Sequence, residues 1–132
     1  MFNLKNICML ACYLFSVSVF ASDTPQISQQ ALLEALTADK HNIVLLDVRS
    51  KKEYNHGHIA GALNFSHDTV ADNLTQLAQY KDKTLVVYCR SGRRAAVAET
   101  ILNNNGFSDV RHLTGDMNGW LEAKRPVVHA KD

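Results

Sequence analysis

The stretch that decides the fold is TLVVYCRSGRRAAVAETIL, residues 84–102. A run of apolar and β-branched residues, TLVVY, ends directly on Cys89. Such a run without polar alternation predicts a strand covered on both faces. Gly92 then punctuates the chain, and GRRAAVAETILNNNG predicts a helix stopped by Asn105-Gly106. One thiol therefore stands between a strand and a helix, among Arg90, Arg93 and Arg94.

Outward from this segment the pattern repeats. NIVLLDV, residues 42–48, predicts a second buried strand. ISQQALLEALTA, residues 27–38, predicts a helix with Ser28 as N-cap and Ile27 and Leu32 at the staple positions. SKKEYNHG, residues 50–57, reads as a turn or two of helix, and GALNFS, 61–66, holds a short strand. HDTVADNLTQLAQY, 67–80, sets Val70, Leu74, Leu77 and Ala78 on one helical face, with Ser66 or Asp68 as cap. DVRHL, 109–113, is a short strand, and GDMNGWLEA, 115–123, a loop running into a short helix. Strands alternating with helices predict an α/β fold of three layers, a mostly parallel sheet with helices on both faces. Ligands of such sheets sit beyond the carboxyl ends of the strands, where Cys89 falls.

The 132 residues, 46% apolar and 20% charged, suit one globular domain after a leader. Residues 1–21 carry Lys5, an apolar run from Ile7 to Phe20 and the small-residue pattern Val19-Phe20-Ala21. This predicts a secretory signal peptide cut after Ala21, and hence an exported, periplasmic protein comprising one domain over residues 22–132. A membrane anchor is the competing reading, but the run falls short of the roughly 20 residues a span requires. Lipidation at Cys12 is a third. Without the leader the chain is formally neutral, which argues against nucleic acid and against an anionic membrane as partner. Cys8 and Cys12 leave with it, so Cys89 becomes the only thiol: reactive, bridged to another molecule, or buried and inert.

The neighbours of Cys89 favour chemistry. The first turn of the following helix has unpaired N–H groups and a partial positive charge, an environment that attracts anions and favours a thiolate. Three arginines add to that field, and Gly92 gives the backbone freedom to curl around a small ligand. The bland alternative is a strand-to-helix turn with solvated arginines.

These residues carry a resemblance. Cys89-Arg90, Gly92 and Arg94 complete the pattern C-R-x-G-x-R. LLDVRSKKEYNHGHIAGALNF, residues 45–65, and VRHLTGDMNGW, 110–120, are similar to the two flanking signatures of the same family. Over roughly residues 27–123 the chain resembles a single-domain rhodanese, a thiosulfate sulfurtransferase. The resemblance implies that Cys89 takes a sulfane sulfur from thiosulfate, releases sulfite and passes the sulfur from its persulfide to cyanide or a thiol. It implies that Arg90, Ser91, Gly92, Arg93 and Arg94 bind the donor, with Arg94 bracing the loop and Arg90 or Arg93 meeting the anion. Cysteine phosphatases have C-x5-R; here the arginine is the fifth residue after the cysteine, and the smaller ring of N–H groups suits a lone sulfur better than a phosphoryl group. A non-catalytic binding module and a thiol-redox module are the alternative functions. No cofactor is implied.

Asp47 and Arg49 end the first central strand and are expected to support the site structurally rather than to line the pocket, with Asp47 bracing nearby backbone or an arginine and an Arg49–Glu53 pair. His58 is expected to fix a turn, and His56, His58 and His67 to lie on a solvated loop without metal. Leu85, Val86, Val97, Ile101 and Leu102 are assigned to the core. One departure stands out: where the family usually has two glycines, this chain has Gly115-Asp116. A carboxylate beside the loop is expected either to weaken the use of a dianionic donor or to favour an acceptor that is not an anion, without touching the persulfide chemistry.

Overall fold

The structure is a computed structural model describing residues 23–130. The expected signal segment, and Cys12 within it, lie outside the described residues. Five strands, β1 (Gln26–Ile27), β2 (Ile43–Asp47), β3 (Leu63–Asn64), β4 (Thr84–Tyr88) and β5 (Asp109–Leu113), form one sheet in the order β1-β5-β4-β2-β3. Every neighbouring pair is parallel. The helices are α1 (Gln29–Asp39), α2 (Lys51–His56), α3 (Leu74–Leu77), α4 (Arg93–Asn103) and α5 (Asp116–Glu122).

Period-2 alternation divides each central strand between two cores. Leu85, Val87 and Cys89 face the layer that contains Leu77, Ala95, Ala98 and Leu102. Val86 and Tyr88 face the layer that contains Leu32, Met117 and Trp120. Both faces are covered, so these strands read as continuous apolar runs. Because the strands are parallel, their carboxyl ends share one rim. Asp47 pairs in register with Tyr88, which brings Asp47, Cys89 and the turn at Thr114–Gly115 together.

Several expectations change at this level. Ile27 is the second residue of a strand, although it still shares a core with Leu32. The expected helix over 67–80 is broken into a 3-10 turn (Ala71–Asn73), α3 and a second 3-10 turn (Ala78–Tyr80). Its start is occupied by local bonds: Ser66 Oγ donates to Asp68 Oδ1, Thr69 Oγ1 to the Ser66 carbonyl and Asn73 Nδ2 to the Thr69 carbonyl. Such bonds compete with helical pairing, and neither Ser66 nor Asp68 caps α3. Val97 is 47% exposed rather than core, because α4 buries Ala95, Ala98, Glu99 and Leu102 at helical spacing and turns Val97 outward. Ile101 packs only at the edge of that core. The helix α2 carries a complete capping box between Ser50 and Glu53.

Candidate functional site

Cys89 is the first residue beyond β4 and is 1% exposed. The chain then curls through Arg90, Ser91 and Gly92 into α4. Gly92 is the N-cap of α4 with φ of 112°, and no side chain caps the helix. The first-turn amides of α4 are therefore left to a ligand. The Gly92 N–H turns inward and donates to Cys89 Sγ at 3.0 Å. Arg94 points away from the loop centre and makes two bonds to Glu53, of 2.7 and 3.1 Å. The Arg94 guanidinium, assisted by Ser50, holds the Glu53 carboxyl down at about 2. This bond ties the start of α4 to α2.

The Arg49–Glu53 pair expected from the sequence does not form, because each residue has a better-placed partner. Arg49 folds back on Asp47: its Nε and Nη2 reach the carboxylate at 3.0 and 2.7 Å, and its own N–H donates to Oδ1 at 2.9 Å. Both side chains are buried. Arg49 Nη2 also donates to the Gly57 carbonyl, and Asn64 Nδ2 donates to the carbonyls of Asp47 and Arg49. The pair thus locks the rim segment between β2 and α2. His58 stacks on Tyr54 with ring centroids 3.6 Å apart and bonds the Tyr54 carbonyl through Nδ1. His56 Nδ1 bonds the Lys52 carbonyl. Beside the loop opens a cavity of about 450 Å³, walled by Arg49, Lys52, Arg90, Met117, Leu121 and Val127 among others.

The turn at Gly115-Asp116 lies beside the loop, as the sequence predicts. Asp116 takes φ of 54°, a left-handed conformation that aspartate tolerates, and is 3% exposed. Its Oδ1 accepts the Cys89 N–H at 2.9 Å and its Oδ2 contacts His112 Nε2 at 2.9 Å. The carboxylate is thus turned under the loop, and is absent from the walls of the large cavity. Glu99 Oε1 meets His112 Nδ1 at 2.5 Å. Two ionised carboxylates, one at each nitrogen, are both satisfied only by a ring that donates from both, an imidazolium. Asp116 first, and Glu99 next, push His112 up from 6.5 to about 10, against the opposing effect of burial. A pKa raised on folding gives stability that is complete below pH 6.5 and is lost as pH rises through about 10. Denaturation midpoints should therefore decline between pH 7 and 10, and His112→Gln should remove that decline. A parallel decline in both proteins would contradict the assignment.

Sequence reasoning missed Glu99 and His112. The available signal was a charged residue, Glu99, at a buried position of the α4 stripe Ala95, Ala98, Glu99, Leu102. On β5, His112 follows Val110 by two residues and so points to the same face, toward α4.

Gly92 packs against this cluster. A Cβ there would lie 3.2 Å from Asp116 Oδ2 and 3.6 Å from His112 Cε1. The positive φ alone disfavours a side chain by about 1–2 kcal/mol. We expect Gly92→Ala to lower the unfolding free energy by about that amount or more, as read by chemical denaturation. A variant of wild-type stability would show that the loop relaxes freely.

The family model for the rhodanese-like domain matches residues 28–123. A tRNA uridine(34) hydroxylase of Cronobacter sakazakii is 34% identical over 99 residues, covering 72% of this chain and 28% of that protein. The uncharacterized protein YibN of Escherichia coli strain K12 is 31% identical over 94 residues, covering 70% of this chain and 66% of that protein. The chain thus spans less than two thirds of the length of either relative. Among solved structures, a rhodanese-related protein of Thermoplasma volcanium superposes with a TM-score of 0.70 at 27% identity, covering 80% of this chain and 99% of that one.

Proposed function

This chain belongs to the rhodanese-like domain family, and from that premise we propose that it is a sulfurtransferase whose Cys89 carries sulfur as a persulfide. The observation that supports this most is the Gly92 N–H aimed at Cys89 Sγ at the foot of an uncapped helix. The outer sulfur of a persulfide formed there meets the first turn of a helix that no side chain caps among the described residues.

The step with thiosulfate balances without any further reactant. The Cys89 thiolate attacks the outer sulfur of thiosulfate and a new S–S bond forms. The original S–S bond breaks, and sulfite leaves with its electron pair. Cyanide then takes the outer sulfur as thiocyanate, or a thiolate takes it as a persulfide, and the Cys89 thiolate returns. A preset ring of N–H donors, with Arg90 and Arg93 outside it, stabilises charge on the donor without reorganisation during the reaction. Arg94 contributes through Glu53, by holding the loop to α2.

The hydroxylase name belongs to proteins of which the matched segment is 28%. The reading proposed here also includes export, motivated by the leader-like residues 1–21. Intact-mass measurement on protein from cells tests both parts. Treatment with thiosulfate should add about 32 Da to Cys89, on a chain beginning at Ser22. No added mass would leave the binding-module reading in its place. Faster reaction with glutathione disulfide than with thiosulfate would point to thiol redox instead.

A further inference from the structure

We propose that His112 is a positioning residue for Cys89: held between Glu99 and Asp116, it aims the second oxygen of Asp116 at the Cys89 N–H and so sets where the sulfur emerges from the loop. The proposal rests on the reading of Cys89 as the nucleophile.

The path is short. Glu99 comes from α4, the helix that the loop enters; Asp116 comes from the first position of α5; His112 comes from β5. The ring thus joins three elements that converge behind the loop, through contacts of 2.5 and 2.9 Å. The end of the path is a main-chain donor of Cys89 itself. Two further bonds fix the same segment to α5: Met117 N–H donates to the Cys89 carbonyl and Asn118 N–H to that of Arg90. With both peptide groups of Cys89 held, the direction of its Cα–Cβ bond is held as well. Gly92, whose N–H reaches the sulfur, packs directly on Asp116 Oδ2 and the His112 ring. Both bonds that orient the sulfur therefore depend on where the imidazolium holds Asp116.

The charge is needed as well as the shape. Glu99 and Asp116 are 1% and 3% exposed. Two buried carboxylates facing one neutral ring would leave one nitrogen without a proton to donate, and one carboxylate oxygen without its partner. A neutral ring can donate to Glu99 or to Asp116 but not to both, and a ring that donates to Glu99 releases Asp116 to turn away from the Cys89 N–H. The other groups about the ring do not replace the charge. The small cavity of about 190 Å³ beside it is lined by Thr24, Gln26, Gly92 and Ala96 besides Glu99 and His112. On β4 the register partner is Val87, and along β5 Arg111 is occupied with Asp109. Glu99 and Asp116 are the charged side chains that meet the ring.

Nuclear magnetic resonance on the full chain tests this directly. The His112 ring and the Cys89 amide should titrate with one shared midpoint. In Glu99→Gln both midpoints should move together to lower pH by about one unit. In His112→Gln, kcat for sulfur transfer from thiosulfate to cyanide should fall about tenfold, with KM changed by less than about threefold, since misplacing a reacting atom costs rate more than ground-state binding. A Cys89 amide that ignores the His112 titration, or a folded His112→Gln protein with wild-type kcat, overturns the proposal. If the wild type takes up no sulfur, the sulfurtransferase reading alone fails. The shared titration, and the alkylation rate of Cys89 by iodoacetamide in wild type and His112→Gln, then decide whether His112 positions the thiol.

Discussion

Replacing Cys89 by serine is expected to abolish sulfur uptake from thiosulfate and to lower thiocyanate formation by on the order of 10⁴-fold or more, to the background rate. A hydroxyl is not ionised near neutral pH and forms no stable bond to a second sulfur, so no persulfide exists to hand on. The substitution is almost isosteric, and the Gly92 N–H retains an oxygen to meet, so the loop should keep its shape. Little of the loss should therefore come from unfolding. A melting temperature within a few degrees of the wild type would confirm that the chemistry, not the fold, was removed. A Cys89→Ser protein that gains about 32 Da, or that keeps even a tenth of the rate, would place the sulfur on another residue and end the proposed mechanism.

The second large effect lies in stability. Asp47→Ala is expected to cost about 3–5 kcal/mol of unfolding free energy, because it strands the Arg49 guanidinium in a buried site. The residues are 0% and 5% exposed, so solvent cannot take over the lost bonds. The Arg49 N–H also loses its acceptor. In a domain of this size that loss lowers the melting temperature by ~10–20 °C. Replacing both residues, as Asp47→Leu with Arg49→Met, should recover a large part, since the penalty arises from the unpaired charge. A single Asp47→Ala change of less than about 1 kcal/mol would show that Arg49 escapes to solvent by rotating past Gly57.

These two experiments separate kinds of residue that the sequence sets side by side. Cys89 and Asp47 both lie at the carboxyl rim of neighbouring parallel strands, Asp47 in register with Tyr88 and Cys89 one residue beyond it, and both belong to recognisable motifs. One is free to react because its neighbours are backbone donors. The other is spent on an arginine two residues away.

The strands and the reactive loop were legible in the primary structure because their signals are local. A run such as LVVY has no polar residue to place on a solvent face, so it predicts burial whatever surrounds it. A cysteine between such a run and a helix start must lie on the carboxyl rim of a parallel sheet. The helix over 67–80 failed because apolar spacing does not record the competition of Ser66, Thr69 and Asn73 for backbone partners. Val97 failed because a helix with alanines at most core positions has a narrow buried stripe, and one residue's rotation moves a valine outside it.

The chain alone determined the α/β layering, the place of Cys89 at a helix entrance and the length of its loop, since each follows from residues within about twenty positions of one another. The tertiary structure decided the pairings: Arg49 with Asp47 and not Glu53, Glu53 with Arg94, and Asp116 with His112 and the Cys89 amide. Those partners lie as far as 41 residues apart, and several acceptors compete for each donor. Which one wins depends on distance and burial once the sheet has closed, because a charge removed from water must take whichever opposite charge the fold leaves within reach.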